Sequence, residues 1–285
     1  MTISEALPRV AAKLRSGGIS SAVLDAEVLL SHVLKKPREF VLAHGERALK
    51  RGEQKMYSSL ISRRLKFEPV AYLTGRKEFY GLKIKVDKRV LIPRPETELL
   101  VDEVASLANA KGPKTAILDI GTGSGAIALS LAKLLPRARI WALDTSPDAL
   151  NLARNNAKAL RLEIRFIKSD LLDNVKSEII AGAILAVNLP YLDRYEIKDF
   201  PIEIKRGLKF EPQDALFASK KGTALYEKLF KQLEAAEIKP AYLVAEIGSH
   251  NWRDFLKLTK RHFPKSEISI IKDLAKRPRI LKIEF

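Results

Sequence analysis

The chain has 285 residues, of which 46% are hydrophobic, a net charge of +17 and no cysteine. Such a length and hydrophobic content are typical of a globular protein with a substantial core in one or two domains. The lack of cysteine excludes disulfides and thiolate metal sites, and the four histidines are scattered singly. Without a signal pattern, or an apolar run near the roughly 20 residues that span a bilayer, we expect a cytoplasmic protein with no metal and no membrane partner.

The positive charge is spread along the chain. Residues 1–80 carry 15 basic and 8 acidic side chains, a net charge of +7, which leaves +10 for the other 205 residues. No tail or stripe holds the excess, so a lysine-rich solvated surface explains it, with an acidic protein partner or a position near RNA as alternatives. Direct nucleic-acid binding is not required by this pattern.

The first 75 residues predict a small helical bundle. Thr2 and Glu5 have the spacing of a capping box, and apolar residues follow at helical spacing until Gly17. The predicted helices cover residues 3–14, 21–34, 38–43 and 53–65. The bundle has no paired carboxylates and no glycine-rich loop, so we predict that residues 1–75 form a substrate-docking domain.

A β-hairpin linker is predicted for residues 76–95, where two short alternating runs flank Gly81. The stretch 92–98, Ile-Pro-Arg-Pro-Glu-Thr-Glu, then places two prolines in a turn before a helix over residues 99–108. The polar start of that helix can face a ligand, and a stiff linker is the alternative. Composition alone does not choose between them.

Residues 96–285 are predicted to form a catalytic domain of the α/β class. Helices are expected over residues 124–134, 147–160, 223–236 and 250–262. The predicted strands are 116–120, 139–143, 163–167, 183–187, 241–245, 267–271 and 280–283. This alternation predicts a parallel, doubly wound sheet of seven strands, in which ligands bind outside the carboxyl ends of the strands.

A glycine-rich loop, Asp-Ile-Gly-Thr-Gly-Ser-Gly-Ala at residues 119–126, joins the first strand of this sheet to its first helix. Glycines there let the backbone approach a nucleotide, and Asp144 at the end of the second strand is placed to bind ribose hydroxyls. The loop also fits the GxGxxA fingerprint of dinucleotide sites, so these motifs alone leave NAD and S-adenosylmethionine both open.

Two further observations favour S-adenosylmethionine. This donor has no pyrophosphate and carries a cationic sulfonium, so an acidic Asp119 beside the loop is favourable, and Asp170 after the third strand can accept from an adenine amino group. The loop, Asp144, Asp170 and Asn188 end four successive predicted strands, which a dinucleotide site does not require.

The buried strand that precedes Asn188 ends in Asn-Leu-Pro-Tyr. Asn188 offers an amide donor and acceptor, Pro190 holds Leu189 extended, and Tyr191 supplies a flat face. These four residues suit a flat, polar, nitrogen-bearing group, and we predict that they are catalytic. Ordinary turn chemistry at a strand end is the alternative.

These motifs together resemble those of the release factor glutamine methyltransferases, the HemK or PrmC family. The resemblance covers nearly the whole chain. It is carried by Tyr72–Gly75 with Lys77–Phe79, Ile92–Glu98, Gly121–Leu129, Asn188–Tyr191 and Phe210–Pro212. The arginine-proline turn at 92–98 discriminates most, because Asn-Pro-Pro-Tyr is shared with adenine-N6 DNA methyltransferases. Leu189 departs from the pattern, since the family has proline there.

The resemblance implies a class I S-adenosylmethionine-dependent methyltransferase fold behind the helical bundle. The implied reaction is methyl transfer to the glutamine side-chain nitrogen in the Gly-Gly-Gln motif of class I peptide chain release factors. By the same analogy the donor contacts Gly121, Thr122, Gly123, Ser124, Gly125, Asp144, Asp170, Leu171 and Asn188.

We expect the Asn188 side-chain oxygen and the Leu189 carbonyl to accept the two amide hydrogens of the glutamine while Tyr191 stacks on the amide. One alternative is an adenine-N6 nucleic-acid methyltransferase acting on a flipped base, which needs a target-reading domain that the sequence does not show. The other is a non-catalytic docking protein with a methyltransferase fold, in which Leu189 has removed activity.

Overall fold

A computed structural model describes residues 1–236 and 239–285, and the chain divides into two compact units. Unit 1 comprises residues 1–76 and 197–211, and unit 2 comprises residues 77–196 and 212–285. In the described ranges, no helix is long and apolar enough to cross a membrane. The docking role that the sequence predicts for residues 1–75 stays a prediction.

The helices of the described residues follow the apolar periodicity of the sequence closely. They are α1 (Ile3–Ser16), α2 (Ala22–Leu34), α3 (Arg38–Ala43), α4 (Arg51–Arg64), α5 (Val70–Thr74), α6 (Glu98–Lys111), α7 (Ala126–Leu134), α8 (Pro147–Leu160), α9 (Ser177–Ile180), α10 (Ile202–Leu208), α11 (Ala224–Ala235) and α12 (Trp252–His262). The sequence did not predict α5, α9 and α10, which have only four to seven residues and therefore show little or no helical period. Among the short helices only α3, with six residues, was predicted.

The strands are β1 (Arg76–Phe79), β2 (Leu82–Lys85), β3 (Ala116–Ile120), β4 (Arg139–Asp144), β5 (Arg165–Lys168), β6 (Ile184–Val187), β7 (Tyr242–Glu246), β8 (Glu267–Lys272) and β9 (Pro278–Glu284). The first two form the predicted hairpin, and its turn residues Tyr80 and Gly81 have φ values of 49° and 67°. Two consecutive positive φ values match the right-handed twist of a two-residue hairpin.

Helices α1 to α5 and α10 make up unit 1. The predicted capping box is present at the start of α1, where the Thr2 hydroxyl accepts from Glu5 N and the Glu5 carboxylate accepts from Thr2 N. Arg64 is buried and pairs with Asp25 of α2 at 2.6 Å and with Glu203 of α10. Glu203 also accepts from the backbone N–H of Ser20 at 2.9 Å, so α10 is attached to the other helices of unit 1 through a charge network around the buried Arg64.

Unit 2 contains a seven-stranded sheet with the order β5-β4-β3-β6-β7-β9-β8, and the prediction of seven strands is confirmed. The pairs from β5 to β7 are parallel, whereas β9 is antiparallel to both β7 and β8. The expectation of a fully parallel sheet is therefore wrong at β9. A connection of five residues between β8 and β9 is too short for the crossover that parallel neighbours need.

The strand order places the predicted site residues at one edge of the sheet. Strands β5, β4, β3 and β6 are consecutive neighbours and parallel, so their carboxyl ends lie side by side. The residues that follow these ends are Asp170, Asp144, the glycine-rich loop and Asn188. Ligand sites of open α/β sheets lie at this edge.

Candidate active site

A cavity of about 520 Å³ opens at the carboxyl edge of the sheet in unit 2, a volume that suits a small-molecule ligand. Among the predicted site residues, its wall contains Gly121, Thr122, Gly123, Ser124, Asp144, Asp170, Leu171, Asn188, Leu189 and Pro190. Three predicted residues are not part of this wall: Asp119, Gly125 and Tyr191. The wall also includes Arg94 and Thr97 of the arginine-proline turn, and Pro212.

Gly121 and Gly125 of the loop are each required to be glycine for a different structural reason. Gly121 has a φ of 76°, and a Cβ atom there would lie 3.0 Å from the Leu189 side chain, so the loop packs directly on the residue after Asn188. Gly125 has a φ of 84° at the start of α7, where a Cβ would lie 3.1 Å from the Ala153 side chain. Gly125 therefore allows close packing of α7 against α8, and its predicted contact with the donor stays a prediction.

Asp144 is held rigidly at the end of β4. One carboxylate oxygen accepts from Gly123 N and the other from Ser146 N, both at 2.9 Å. Burial raises the pKa of this carboxyl, and the two backbone donors oppose that rise. Asp170 lies on the same wall but is more exposed and forms an ion pair with Lys228 of α11.

Asp119 lies beneath the loop and is fully buried. One carboxylate oxygen accepts from the Thr122 hydroxyl at 2.6 Å and from Ala128 N at 3.1 Å. The other has no hydrogen-bond partner among the described residues, and burial raises the pKa of the carboxyl to about 7. When ionised, this carboxylate lies beneath the loop that lines the cavity, and it then favours a cationic ligand over a pyrophosphate because it attracts positive charge. The residues present therefore fit a sulfonium donor.

The Asn188 side chain is oriented by two acceptors. Its Nδ2 donates to the Thr97 hydroxyl at 3.2 Å and to the Glu246 carboxylate at 3.0 Å. With both amide hydrogens taken, Oδ1 is the remaining hydrogen-bonding atom of a side chain that lines the cavity. Asn188 can therefore present an acceptor to a bound substrate.

Glu246 is the centre of this arrangement. It ends β7, is 1% exposed, and accepts from the Tyr191 hydroxyl at 2.9 Å as well as from Asn188. Burial raises its pKa, while hydrogen bonds from Thr97 and Tyr191 oppose the rise. Tyr191 packs against the core of the sheet, and its predicted stacking on a substrate amide stays a prediction.

Sequence reasoning missed Glu246 and treated Thr97 only as part of a turn. Glu246 was within reach of the same argument that found Asp144, Asp170 and Asn188, because it is the polar residue at the carboxyl end of the next parallel strand. The role of Thr97 had no such signal. Its contact with Asn188 joins residues 91 positions apart in the chain.

Two family models match the chain: the PrmC N-terminal domain over residues 5–75 and the methyltransferase small domain over residues 95–193. A release factor glutamine methyltransferase from Koribacter versatilis is 37% identical over 249 residues, covering 87% of each protein. The enzyme of that name from Rhodopirellula baltica is 34% identical, covering 95% of this chain and 92% of the relative. That from Escherichia coli K12 is 37% identical, covering 80% of this chain and 79% of the relative.

Solved structures support the fold. The catalytic domain of hMettl16 in complex with a MAT2A 3'UTR hairpin aligns with a TM-score of 0.56 at 15% identity, covering 83% of this chain and 82% of that one. The N-terminal domain of human METTL16 in complex with SAH aligns with a TM-score of 0.52 at 18% identity, covering 72% of this chain and 76% of that one.

Fold and site together define a class I S-adenosylmethionine-dependent methyltransferase with a helical domain before it. The sequence identity to the relatives, and the large share of each chain that aligns, decide the particular family. The chain belongs to the release factor glutamine methyltransferases, which confirms the resemblance inferred from its motifs.

Proposed function

We propose that this protein transfers a methyl group from S-adenosylmethionine to the glutamine side-chain nitrogen of the Gly-Gly-Gln motif in a class I peptide chain release factor. The observation that carries the proposal is the Asn188 side chain, whose Nδ2 is held by Glu246 and Thr97 so that Oδ1 is free to accept from a substrate amide. The names of the relatives support the substrate. The proposal requires the cytoplasm, where release factors act, and neither a membrane nor direct nucleic-acid binding.

When bound, the donor supplies an electrophilic methyl group on a cationic sulfonium. The backbone of residues 121–124 lines the part of the cavity that would hold it, where Asp144 would accept from the ribose hydroxyls and Asp170 from the adenine amino group. Leu171 lines the same wall. Asp119 adds negative charge beneath the loop, which stabilises a cation in this largely buried region.

The glutamine amide is a poor nucleophile, because its nitrogen lone pair is delocalised into the carbonyl. The active site must therefore orient it. Asn188 Oδ1 and the Leu189 carbonyl would accept the two amide hydrogens, and Pro190 keeps Leu189 extended, so that the nitrogen would be held in one orientation toward the donor's part of the cavity. Orientation of this kind lowers the barrier, and no general base is required until charge develops on the nitrogen. The nitrogen then releases one of its two hydrogens as a proton to water, which leaves a neutral N-methyl amide.

The direct test is to incubate the protein with a recombinant release factor and S-adenosylmethionine and to sequence the Gly-Gly-Gln peptide by mass spectrometry. We expect one added methyl group on the glutamine side chain, and none when that glutamine is replaced. Donor binding without any methylated release factor would reject the proposal in favour of the docking protein. A methyl group found instead on adenine of added DNA or RNA would support the nucleic-acid alternative.

Asp144→Ala is expected to weaken donor binding by about 10- to 150-fold, because the ribose hydroxyls lose a charged acceptor that contributes roughly 1.5 to 3 kcal/mol. Calorimetric titration with S-adenosylmethionine measures this loss, and turnover at saturating donor should recover. Asp148→Ala is the matched control, since Asp148 is exposed and does not line the cavity. Unchanged donor affinity together with new NAD binding would mean that the cofactor site is misassigned.

If unit 1 docks the release factor, its exposed apolar residues should matter for the intact substrate. Val23 and Leu24 of α2 are 49% and 47% exposed, although large apolar side chains are usually buried. We expect the double substitution Val23→Ser and Leu24→Ser to raise KM for the intact release factor about fivefold or more, as expected for anchor residues of an interface.

A short Gly-Gly-Gln peptide is the control substrate, for which KM should change little. Leu134→Ser is the control variant, because Leu134 is 41% exposed but belongs to unit 2. Equal KM values for intact release factor in the natural and doubly substituted proteins would remove this face of α2 from the docking site.

A further inference from the structure

Leu189 has a backbone N–H that proline, the family's residue at this position, lacks. The residue is 5% exposed, so its N–H is shielded from water and requires a partner within the protein. In the structure Leu189 N donates to the hydroxyl oxygen of Tyr226 at 3.3 Å. The partner comes from α11, 37 residues further along the chain.

The Tyr226 hydroxyl is itself held in place. It is fully buried and donates its hydrogen to the backbone carbonyl of Glu246 at 2.6 Å, which leaves its lone pairs for Leu189 N. The Leu189 carbonyl is 3.5 Å from this hydroxyl, at the long limit of a hydrogen bond, and so keeps acceptor capacity. Phe255 packs edge-on against the Tyr226 ring with centroids 4.8 Å apart, and burial raises the pKa of the hydroxyl, which stays protonated.

We infer that Tyr226 is a positioning residue: it supplies the acceptor for the Leu189 N–H and thereby restores the fixed loop geometry that proline provides in the family. The inference rests on the proposed function, in which the Leu189 carbonyl is one of the two acceptors that orient the glutamine amide. One hydroxyl connects the ends of β6 and β7, because it bonds to Leu189 and to Glu246. The Leu189 N–H and the Glu246 carbonyl are therefore both bonded to one fixed hydroxyl, and the Leu189 carbonyl is positioned through its own residue's N–H.

Removal of this hydroxyl has different consequences with leucine and with proline at position 189. In Tyr226→Phe the ring and its packing stay, but the Leu189 N–H loses its acceptor inside the protein. The loop must then shift or admit water, either of which misplaces the Leu189 carbonyl. In a Leu189→Pro background there is no N–H to satisfy, and only the bond to the Glu246 carbonyl is lost.

The experiment is a double-mutant cycle of the natural protein, Tyr226→Phe, Leu189→Pro and the double variant, read as single-turnover methylation of a release factor at saturating donor. We expect Tyr226→Phe to lower the rate about tenfold with leucine at 189 and about two- to threefold with proline, because the unsatisfied buried N–H exists only with leucine. Leu189→Pro alone is expected to raise the rate modestly. Equal fold losses in the two backgrounds would overturn the inference.

Tyr57→Phe is the matched control for the loss of a buried tyrosine hydroxyl. Tyr57 is 2% exposed and donates to the Ala26 carbonyl at 2.8 Å within unit 1. Tyr57→Phe should lower the melting temperature as Tyr226→Phe does. Its effect on the methylation rate, normalised to the amount of protein that binds donor, should be small and equal with leucine and with proline at position 189. A rate loss from Tyr57→Phe as large as that from Tyr226→Phe would reduce the role of Tyr226 to general stability.

Amide hydrogen exchange tests the same contact without any substrate. The peptide that contains Leu189 should be protected in the natural protein and should exchange faster in Tyr226→Phe, with no such change in Tyr57→Phe. Unchanged exchange in Tyr226→Phe would overturn the inference by itself. A protected Leu189 amide in a natural protein that methylates no release factor would support the contact and reject the proposed substrate.

Discussion

Asn188→Ala is expected to lower the single-turnover rate of release factor methylation about 100- to 1,000-fold, the cost of removing one preorganised hydrogen-bonding group that acts in the transition state. Alanine removes the oxygen that orients the substrate amide, while the loop at residues 121–124 and Asp144 still form the donor site. Asn188 is only one of the residues that line the donor's cavity, so donor affinity, measured by calorimetry, should fall far less than the rate, by roughly 2- to 12-fold for the loss of one hydrogen-bonding group.

Loss of Asn188 also removes a hydrogen bond from the buried Glu246 carboxylate, so a lower melting temperature is expected and needs a control. Thr259→Ala provides it. Thr259 is fully buried, its hydroxyl donates to the Phe255 carbonyl at 2.9 Å within α12, and it does not line the cavity. If both variants lose stability but only Asn188→Ala has a lower methylation rate, the lower rate reflects a role of Asn188 in the methyl-transfer step. A near-normal rate in Asn188→Ala would remove Asn188 from the mechanism.

Glu246→Gln is expected to lower the rate about 100-fold, because it disturbs the orientation of Asn188 without reaching the cavity itself. The carboxylate accepts from Asn188 Nδ2 at 3.0 Å and from the Tyr191 hydroxyl at 2.9 Å. A glutamine has only one oxygen, so its NH2 group must face one of these donors. The Asn188 amide can avoid the clash by turning over, which points its NH2 rather than its oxygen toward the substrate.

The same argument predicts a pH dependence. Burial raises the pKa of Glu246 above its ordinary value, and the ionised form is the one that accepts both hydrogen bonds. As pH falls through this raised pKa, the carboxyl gains a proton and the rate is lost; the rate is retained above it. The acid limb of the single-turnover pH profile should therefore lie above the usual glutamate range and be absent in Glu246→Gln.

Glu27→Gln is the matched control for the loss of a buried carboxylate, since Glu27 is 7% exposed and pairs with Arg38 in unit 1. Its rate on a Gly-Gly-Gln peptide should keep the acid limb of the natural protein. A Glu246→Gln variant with the natural pH profile and a rate within about threefold of normal would show that Asn188 is oriented by other groups, such as Thr97.

The local pattern of apolar residues was enough to predict the helices and strands that bury one or both of their faces. The apolar runs that became β3, β4 and β6, and the helical periods of α2 and α8, are each specified by residues within one segment, because side-chain burial depends on a repeat of two or 3.6 residues. The glycine-rich loop and the polar residue after each strand were also visible, since the sheet rule places them together without knowledge of the packing. These features were sufficient for the class of fold and for the family.

Tertiary structure decided the contacts between segments that are far apart in the chain. The attachment of α10 to the helical unit depends on Arg64 and Glu203, 139 positions apart, and the short helix itself has no amphipathic signature. The orientation of Asn188 depends on Thr97 and Glu246 in the same way. Hydrogen bonds of this kind leave no periodic pattern, because any polar residue elsewhere in the chain can serve as the partner.

Leu189 is the clearest example of the difference between what the sequence determines and what only the tertiary structure determines. The sequence by itself determined that a leucine replaces the family's proline, that Pro190 keeps it extended, and that a new N–H needs an acceptor. It did not identify that acceptor. Only the packing of α11 against the sheet brings the Tyr226 hydroxyl to 3.3 Å from Leu189 N, because the position of a buried side chain depends on every element around it.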